Sequence, residues 1–486
     1  MNQTKKNIFT ILFLSPLTII FNLILTPFII DSFGISNYGI FALMINLVAF
    51  SGLLNLGLGV AGTRYISQTS IENDNELLRS KINNNLFVTF IAALFFSSLL
   101  FFSFNFLIKN IYNFNDIDET IILSLNFLIS ATVFLNILIL SFRGYLVGLN
   151  KLNLAKMNEV FLVISSLIIT YGLLQFGFHI SEIFLARLIP LLFYLFFVQL
   201  YFFKKKSIFL NIDNLNYTES LNQLKYGLRS FININSPYIK EIPLLLIGVF
   251  LTPVSVAIYA PFKLMINAIY NLIVNLNENI FPLVSAKSFH GDDKAIFFDN
   301  IFYGVIAYSF LIHILFILGA ESIIYLWLGE TFSSQILILH VMSIGSFGYS
   351  ISSALFYFSQ GIGQPKIGRN YGIYLGILNI IFGAILIPSF NLFGASISFS
   401  LSIFLIVVML LKYFSIHIFN DITSFSFLSR IISFVLCCIL IACSIYLLNY
   451  FDDTFFVSVL VIVSTLIYFF FLIKKTNFSI NLRSLK

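Results

Sequence analysis

The chain has 486 residues, of which 59% are hydrophobic and only 10% charged, and its mean hydropathy is +0.97. So few charges cannot cover the surface of a soluble protein of this length, which excludes a soluble enzyme. Apolar runs of about 20 residues, each enough to cross about 30 Å of hydrocarbon, recur from end to end.

In chain order the runs predict fourteen transmembrane helices, near residues 8–32, 38–60, 86–108, 120–142, 157–177, 180–203, 226–251, 254–283, 297–320, 333–359, 370–390, 393–416, 428–449 and 454–473. The first follows Lys5 and Lys6, as a secretory signal would. Its length, Pro16, Pro27 and the lack of a small-x-small cleavage site predict a retained helix instead. All but four of the 27 Lys and Arg fall in segments that become cytoplasmic when the N-terminus is placed inside; the four are Lys109, Arg187, Lys240 and Lys263. The positive-inside rule therefore predicts two cytoplasmic termini. The net charge of +6 reports topology and implies no nucleic-acid partner. The longest cytoplasmic loop, 204–225, is too short to be a soluble domain, so no catalytic domain is expected on either side. Cys437, Cys438 and Cys443 share the thirteenth span and read as small buried apolar residues.

Residues 15–46 share ten identities in 32 with the segment 221 positions later. Ser15-Pro16 matches Ser236-Pro237, Tyr38 matches Tyr259, Phe41 matches Phe262, and Leu43 to Asn46 match Leu264 to Asn267. Such a repeat predicts an all-α polytopic fold of two parallel six-helix bundles. The boundaries expected are 1–203 for the first bundle, 204–225 for a cytoplasmic linker, 226–416 for the second, and 417–486 for two extra helices and a tail. Transporters built from repeats bind substrate between the halves.

Two helices of the second half carry polar faces. In the seventh span Arg229, Asn233, Ser236 and Lys240 follow at steps of four, three and four, and Pro237 and Pro243 interrupt the helix. In the eighth, Lys263, Asn267, Asn271, Asn275 and Glu278 fall within an arc of roughly 120°. A cation at the bilayer centre costs about 2.5 to 3.5 kcal/mol, so several on two faces predict the wall of an aqueous cavity suited to an anionic cargo. Amide strips can also serve as glue between membrane helices, and Lys240 with Glu241 can form a structural pair. Arg187 either extends the basic cavity from the first half or reaches the external surface. Glu159 reads as an interfacial carboxylate, and Glu278 is the better candidate for a driving H+ or Na+; no other cofactor is expected. No GxxxxGK[ST] motif occurs, and the five histidines are scattered, without metal or nucleophile spacing.

The order and spacing of four stretches carry a family resemblance: GISNYGIFALMINLVAFSGLLNLGLGVAGTRYIS at 34–67, RGYLVGLNKLNLA at 143–155, VAIYAPFKLM with the later FPLVSA across 256–286, and QGIGQPKIGRNYGIYLGILNIIFGAILIPSFNLFGASIS at 360–398. Across nearly its whole length the chain resembles the Wzx-type oligosaccharide flippases, in the polysaccharide transporter branch of the MATE-like superfamily. The resemblance implies two six-helix bundles in a V around a central cavity, plus two C-terminal helices. It implies a cargo of undecaprenyl pyrophosphate carrying an oligosaccharide repeat unit, as for O-antigen of lipopolysaccharide, moved between leaflets of the bacterial inner membrane. It further implies membrane lipids, a polysaccharide polymerase and a chain-length regulator as partners, and no enzymatic activity. Carried over to this chain, the family's basic cavity residues correspond to Arg229, Lys240 and Lys263. Their first-half counterparts at the 221 offset include Ile19 and Ala42, so the resemblance assigns the grip on pyrophosphate to the second half. Rival readings are a drug or cation antiporter of the same superfamily, a polytopic polymerase or ligase, and a flippase for another lipid headgroup.

Overall fold

The computed structural model describes residues 3–72, 75–114, 118–204, 215–234, 241–285, 293–364, 366–418, 425–450 and 454–475. All regular structure among them is helical, as a hydrocarbon solvent that offers backbone groups no partner requires of a chain without a closed barrel. Ten helical segments among the described residues are long and apolar enough to cross a membrane, and the protein is a multi-pass membrane protein. The chain divides into two compact units, Met1–Pro261 and Phe262–Lys486.

The first unit holds α1 (Gln3–Ala49), α2 (Leu58–Glu72), α3 (Asn75–Phe106), α4 (Glu119–Gly148), α5 (Leu152–Gln175), α6 (Leu185–Lys204), α7 (Tyr217–Ile234), α8 (Ile242–Phe250) and the start of α9 (Pro253–Asn277). With 47 residues α1 would be about 70 Å long if straight, twice what a bilayer needs. It breaks at Gly34 (φ 80°), so the loop expected near 33–37 reduces to one residue in a conformation that glycine alone adopts freely. The expected second span, 38–60, is divided near Leu56 and Gly57, both at positive φ, and α2 runs on to Glu72.

Helices α2 and α4 meet backbone to backbone. A Cβ added to Gly144 would stand 2.1 Å from the Gly59 carbonyl oxygen, and one on Gly148 would stand 2.8 Å from that of Thr63. Thr63 Oγ1 donates to the Gly144 carbonyl at 2.9 Å. Glycines four apart open the approach, and packing with an interhelical hydrogen bond holds it where no hydrophobic effect operates. A buried polar layer surrounds this contact. Asn55 donates to the Ile137 carbonyl at 2.9 Å and to Ser141 Oγ at 3.2 Å, and Tyr145 donates to Asn85 Oδ1 at 2.7 Å. Asn84 Oδ1 accepts from the Asn216 amide at 2.9 Å, and Lys81 pairs with Glu219 at 2.7 Å. These contacts seat α7, which begins at Tyr217 inside the expected linker; residues 205–214 of that linker lie outside the described residues.

The second unit holds the rest of α9, the short helix Ile280–Ser285, α10 (Asp293–Leu328), α11 (Ile336–Gly361), α12 (Lys366–Tyr413), α13 (Phe425–Tyr450) and α14 (Thr454–Lys475). α12 carries the expected spans 370–390 and 393–416 as a tight hairpin. Asn391 has φ 52° and ψ −136°, and a Cβ on Gly394 would lie 2.0 Å from the Leu386 carbonyl oxygen, eight residues back. A straight helix puts those groups about 12 Å apart. α13 is locked to α10 by a buried ion pair: Arg430, 1% exposed, donates from Nε to Asp299 Oδ1 at 2.6 Å. Its guanidinium also lies 5.2 Å from the Phe298 ring centroid and 3.4 Å from Ser415 Oγ. At α10–α11, His313 binds the Ser309 carbonyl through Nδ1 (2.7 Å) and Ser346 Oγ through Nε2 (3.1 Å). Of the cysteines, Cys437 is buried and Cys438 half-buried, while Cys443 is exposed, so only the first fits the buried reading fully.

Candidate functional site

The polar strip on α9 lies in the second unit, where the helix divides into three sectors. Ile266, Tyr270, Ile273 and Asn277, at steps of four, three and four, pack into the unit. Tyr270 stacks on Tyr349 of α11 with ring centroids 4.4 Å apart. Asn277, 0% exposed, donates to the Ser350 carbonyl at 3.0 Å and to Ser353 Oγ at 2.7 Å, and accepts from Tyr308 of α10. Leu272 and Leu276 are 54% and 52% exposed and mark an apolar outer sector. Between these sectors, roughly 110° from the packed one, lies the strip.

Along the strip Lys263 is 8% exposed, Asn267, Asn271 and Asn275 are half-buried, and Glu278 is exposed. Tyr357 of α11 donates from its hydroxyl to Glu278 Oε1 at 3.3 Å. The three amides make no hydrogen bond within the protein among the described residues. That separates the two readings of an amide strip. Glue needs a partner across the helix interface, and Asn277, one position off the strip, has three. An amide left without a partner in hydrocarbon costs several kcal/mol, so the half-exposed strip fits water or a polar ligand and not lipid.

The other residues singled out in the sequence are placed as follows. Lys240 lies outside the described residues, as do the side chains of Arg229 and Asn233 on α7. Glu241 is half-buried in the turn before α8. Arg187 is half-buried near the start of α6, with no ion pair or hydrogen bond among the described residues. Glu159 on α5 bridges Arg143 and Lys156, the latter at 3.0 Å. In the first unit Asn46, the repeat partner of Asn267, is 3% exposed.

Sequence reasoning missed Tyr270, Tyr308, Tyr349, Tyr357 and Asn277, because aromatic residues and one more amide in apolar helices carry no signal of their own. Tyr357 reaches Glu278 from 79 positions away.

No protein-family model matches the chain, and no curated protein sequence matches it. Solved structures do. It is similar to the lipid II flippase MurJ in an inward closed conformation, with TM-score 0.70 and 16% identity over 94% of this chain and 96% of that one. It is similar to a multidrug resistance MATE family transporter of the MOP superfamily in its inward-facing conformation, with TM-score 0.65 and 16% identity over 86% and 95%. A MOP superfamily transporter from Pyrococcus furiosus, described as having a binding pocket of reversed polarity, matches with TM-score 0.55 and 16% identity over 89% and 96%. At this identity the likeness is one of fold, the fold that these solved transporters and the flippase share.

Proposed function

We propose that the chain is a flippase for undecaprenyl-pyrophosphate-linked oligosaccharide repeat units, working from the cytoplasmic to the periplasmic leaflet of the bacterial inner membrane with both termini in the cytoplasm. The half-exposed amide strip beside Lys263, without a hydrogen bond among the described residues, carries this reading. Lys263, with Lys240, Arg229 and Arg187, supplies positive charge for a pyrophosphate, the anion for which lysine and arginine make strong charge-assisted hydrogen bonds. Asn267, Asn271 and Asn275 (with Asn233) offer both donors and acceptors, as sugar hydroxyls require. The lipid tail stays in the bilayer while the headgroup crosses. The step is driven by H+ or Na+ acting at Glu278 or Glu241, or by a periplasmic polymerase and its chain-length regulator consuming the delivered unit. The sequence resemblance and the likeness to a lipid II flippase fold support this reading. An antiporter of the same fold is the rival, favoured by the exposed carboxylate of Glu278.

Lys240→Ala and Lys263→Ala, made separately and present at normal levels, are expected to abolish surface polysaccharide or cut it severely. Unchanged polysaccharide in both would overturn the basic-site reading.

A further inference from the structure

Glu278 and the tyrosines around it form a second chemical surface at the far end of the strip from Lys263. Tyr270 and Tyr349 are stacked with ring centroids 4.4 Å apart and their rings tilted by 34°. Tyr357 donates to Glu278. Tyr270, Tyr357 and the amides are half-buried, and Glu278 is exposed. From Asn267 to Glu278 the helix rises about 16 Å, which is room for a chain of several ring-sized groups and more than one small ion needs.

We propose that Tyr270, Tyr357 and Glu278, backed by Tyr349, form a subsite for the oligosaccharide of a lipid-linked cargo, distinct from the cationic end that takes the pyrophosphate. The inference rests on the flippase reading and gives it a specificity site. A pyranose has an apolar C–H face and a rim of hydroxyls. A tyrosine matches both, with an apolar ring and a polar tip. Every sugar hydroxyl withdrawn from water must be paired, or it costs about 1 to 3 kcal/mol. Phenol and amide groups supply neutral partners, and an exposed carboxylate supplies a stronger charge-assisted acceptor. A site for an organic cation would differ. It would offer open ring faces around an unpaired carboxylate, whereas one face of Tyr270 is covered by Tyr349 and Glu278 already accepts a phenol.

The test uses the full-length protein in lipid nanodiscs and three probes: bare undecaprenyl pyrophosphate, the host's extracted lipid-linked repeat unit, and ethidium. The variants are Tyr270→Phe, Tyr357→Phe and Glu278→Gln, each with its melting temperature checked, and Lys263→Gln for comparison. The expected result is that wild type binds the sugar-bearing lipid at least tenfold more tightly than the bare lipid. The three subsite variants should remove most of that ratio without changing affinity for the bare lipid, while Lys263→Gln weakens both. Equal affinity of wild type for the two lipids would overturn the sugar subsite and leave the flippase reading standing. So would subsite variants that weaken both lipids alike or neither. Binding of ethidium through Glu278 with no binding of either lipid would overturn the flippase reading itself.

Discussion

Asn277 and Asn271 are six positions apart on the same helix, and exchanging either for alanine separates structural amides from functional ones. Asn277→Ala removes two donated hydrogen bonds, at 3.0 and 2.7 Å, and one accepted from Tyr308, all in a side chain that is 0% exposed. Interhelical hydrogen bonds in membrane proteins average about 0.6 kcal/mol each, so three sum to about 2 kcal/mol, before any contribution from the small void left behind. Asn271→Ala removes no hydrogen bond among the described residues and a half-exposed group, and should change stability by less than about 0.5 kcal/mol. Unfolding of the purified protein in mixed micelles by graded denaturing detergent gives both values. Surface polysaccharide in a strain carrying each variant at equal level gives function. Asn277→Ala is expected to lose stability, and Asn271→Ala to lose polysaccharide without losing stability. If Asn271→Ala costs as much stability as Asn277→Ala, the strip is helix glue and the cavity argument is wrong.

Three further outcomes follow from the packing. Arg430→Ala leaves Asp299 without its partner and empties a fully buried site; with Asp299 partly solvated the cost should be about 3 kcal/mol, read as detachment of α13 by protease sensitivity or melting temperature. Gly144→Ala drives a methyl into the Gly59 backbone and should cost about 1 to 3 kcal/mol or prevent accumulation, whereas alanine at Gly172, with open space around it, should be tolerated in an expression assay. Glu159→Gln breaks two partly exposed ion pairs, which is worth at most about 1 kcal/mol, and should leave polysaccharide export intact. Lost export with normal protein level would move Glu159 from the interface into the transport machinery.

What the sequence revealed follows its periodicity and composition. Long apolar runs gave the membrane-spanning character, and a four-residue step placed Lys263, Asn267, Asn271, Asn275 and Glu278 on one side of α9, where the structure has them. Composition could not say what that side faces, because a strip of amides looks the same with or without partners. The half-exposure of the strip and the burial of Asn277 appear only once the helix is packed in its unit. Boundaries were less legible. The break at Gly34 and the hairpin at Asn391 each depend on one residue's backbone conformation inside a continuous apolar pattern. Long-range pairs were not legible: Arg430 reads as one more basic residue until Asp299, 131 positions away, is found beside it. The tyrosines that approach Glu278 belong to the same class.

The proposed function stands on one step, movement of a lipid-linked oligosaccharide across the bilayer by this chain. It is tested most directly with the purified protein in proteoliposomes loaded with the host's lipid-linked repeat unit, with the exposed fraction followed by an impermeant enzyme that modifies the sugar. Units from the shielded leaflet are expected to become accessible with the wild-type protein, much more slowly with Lys263→Ala, and not in protein-free vesicles. Accessibility that stays at the protein-free level, with the protein folded and correctly inserted, would contradict it.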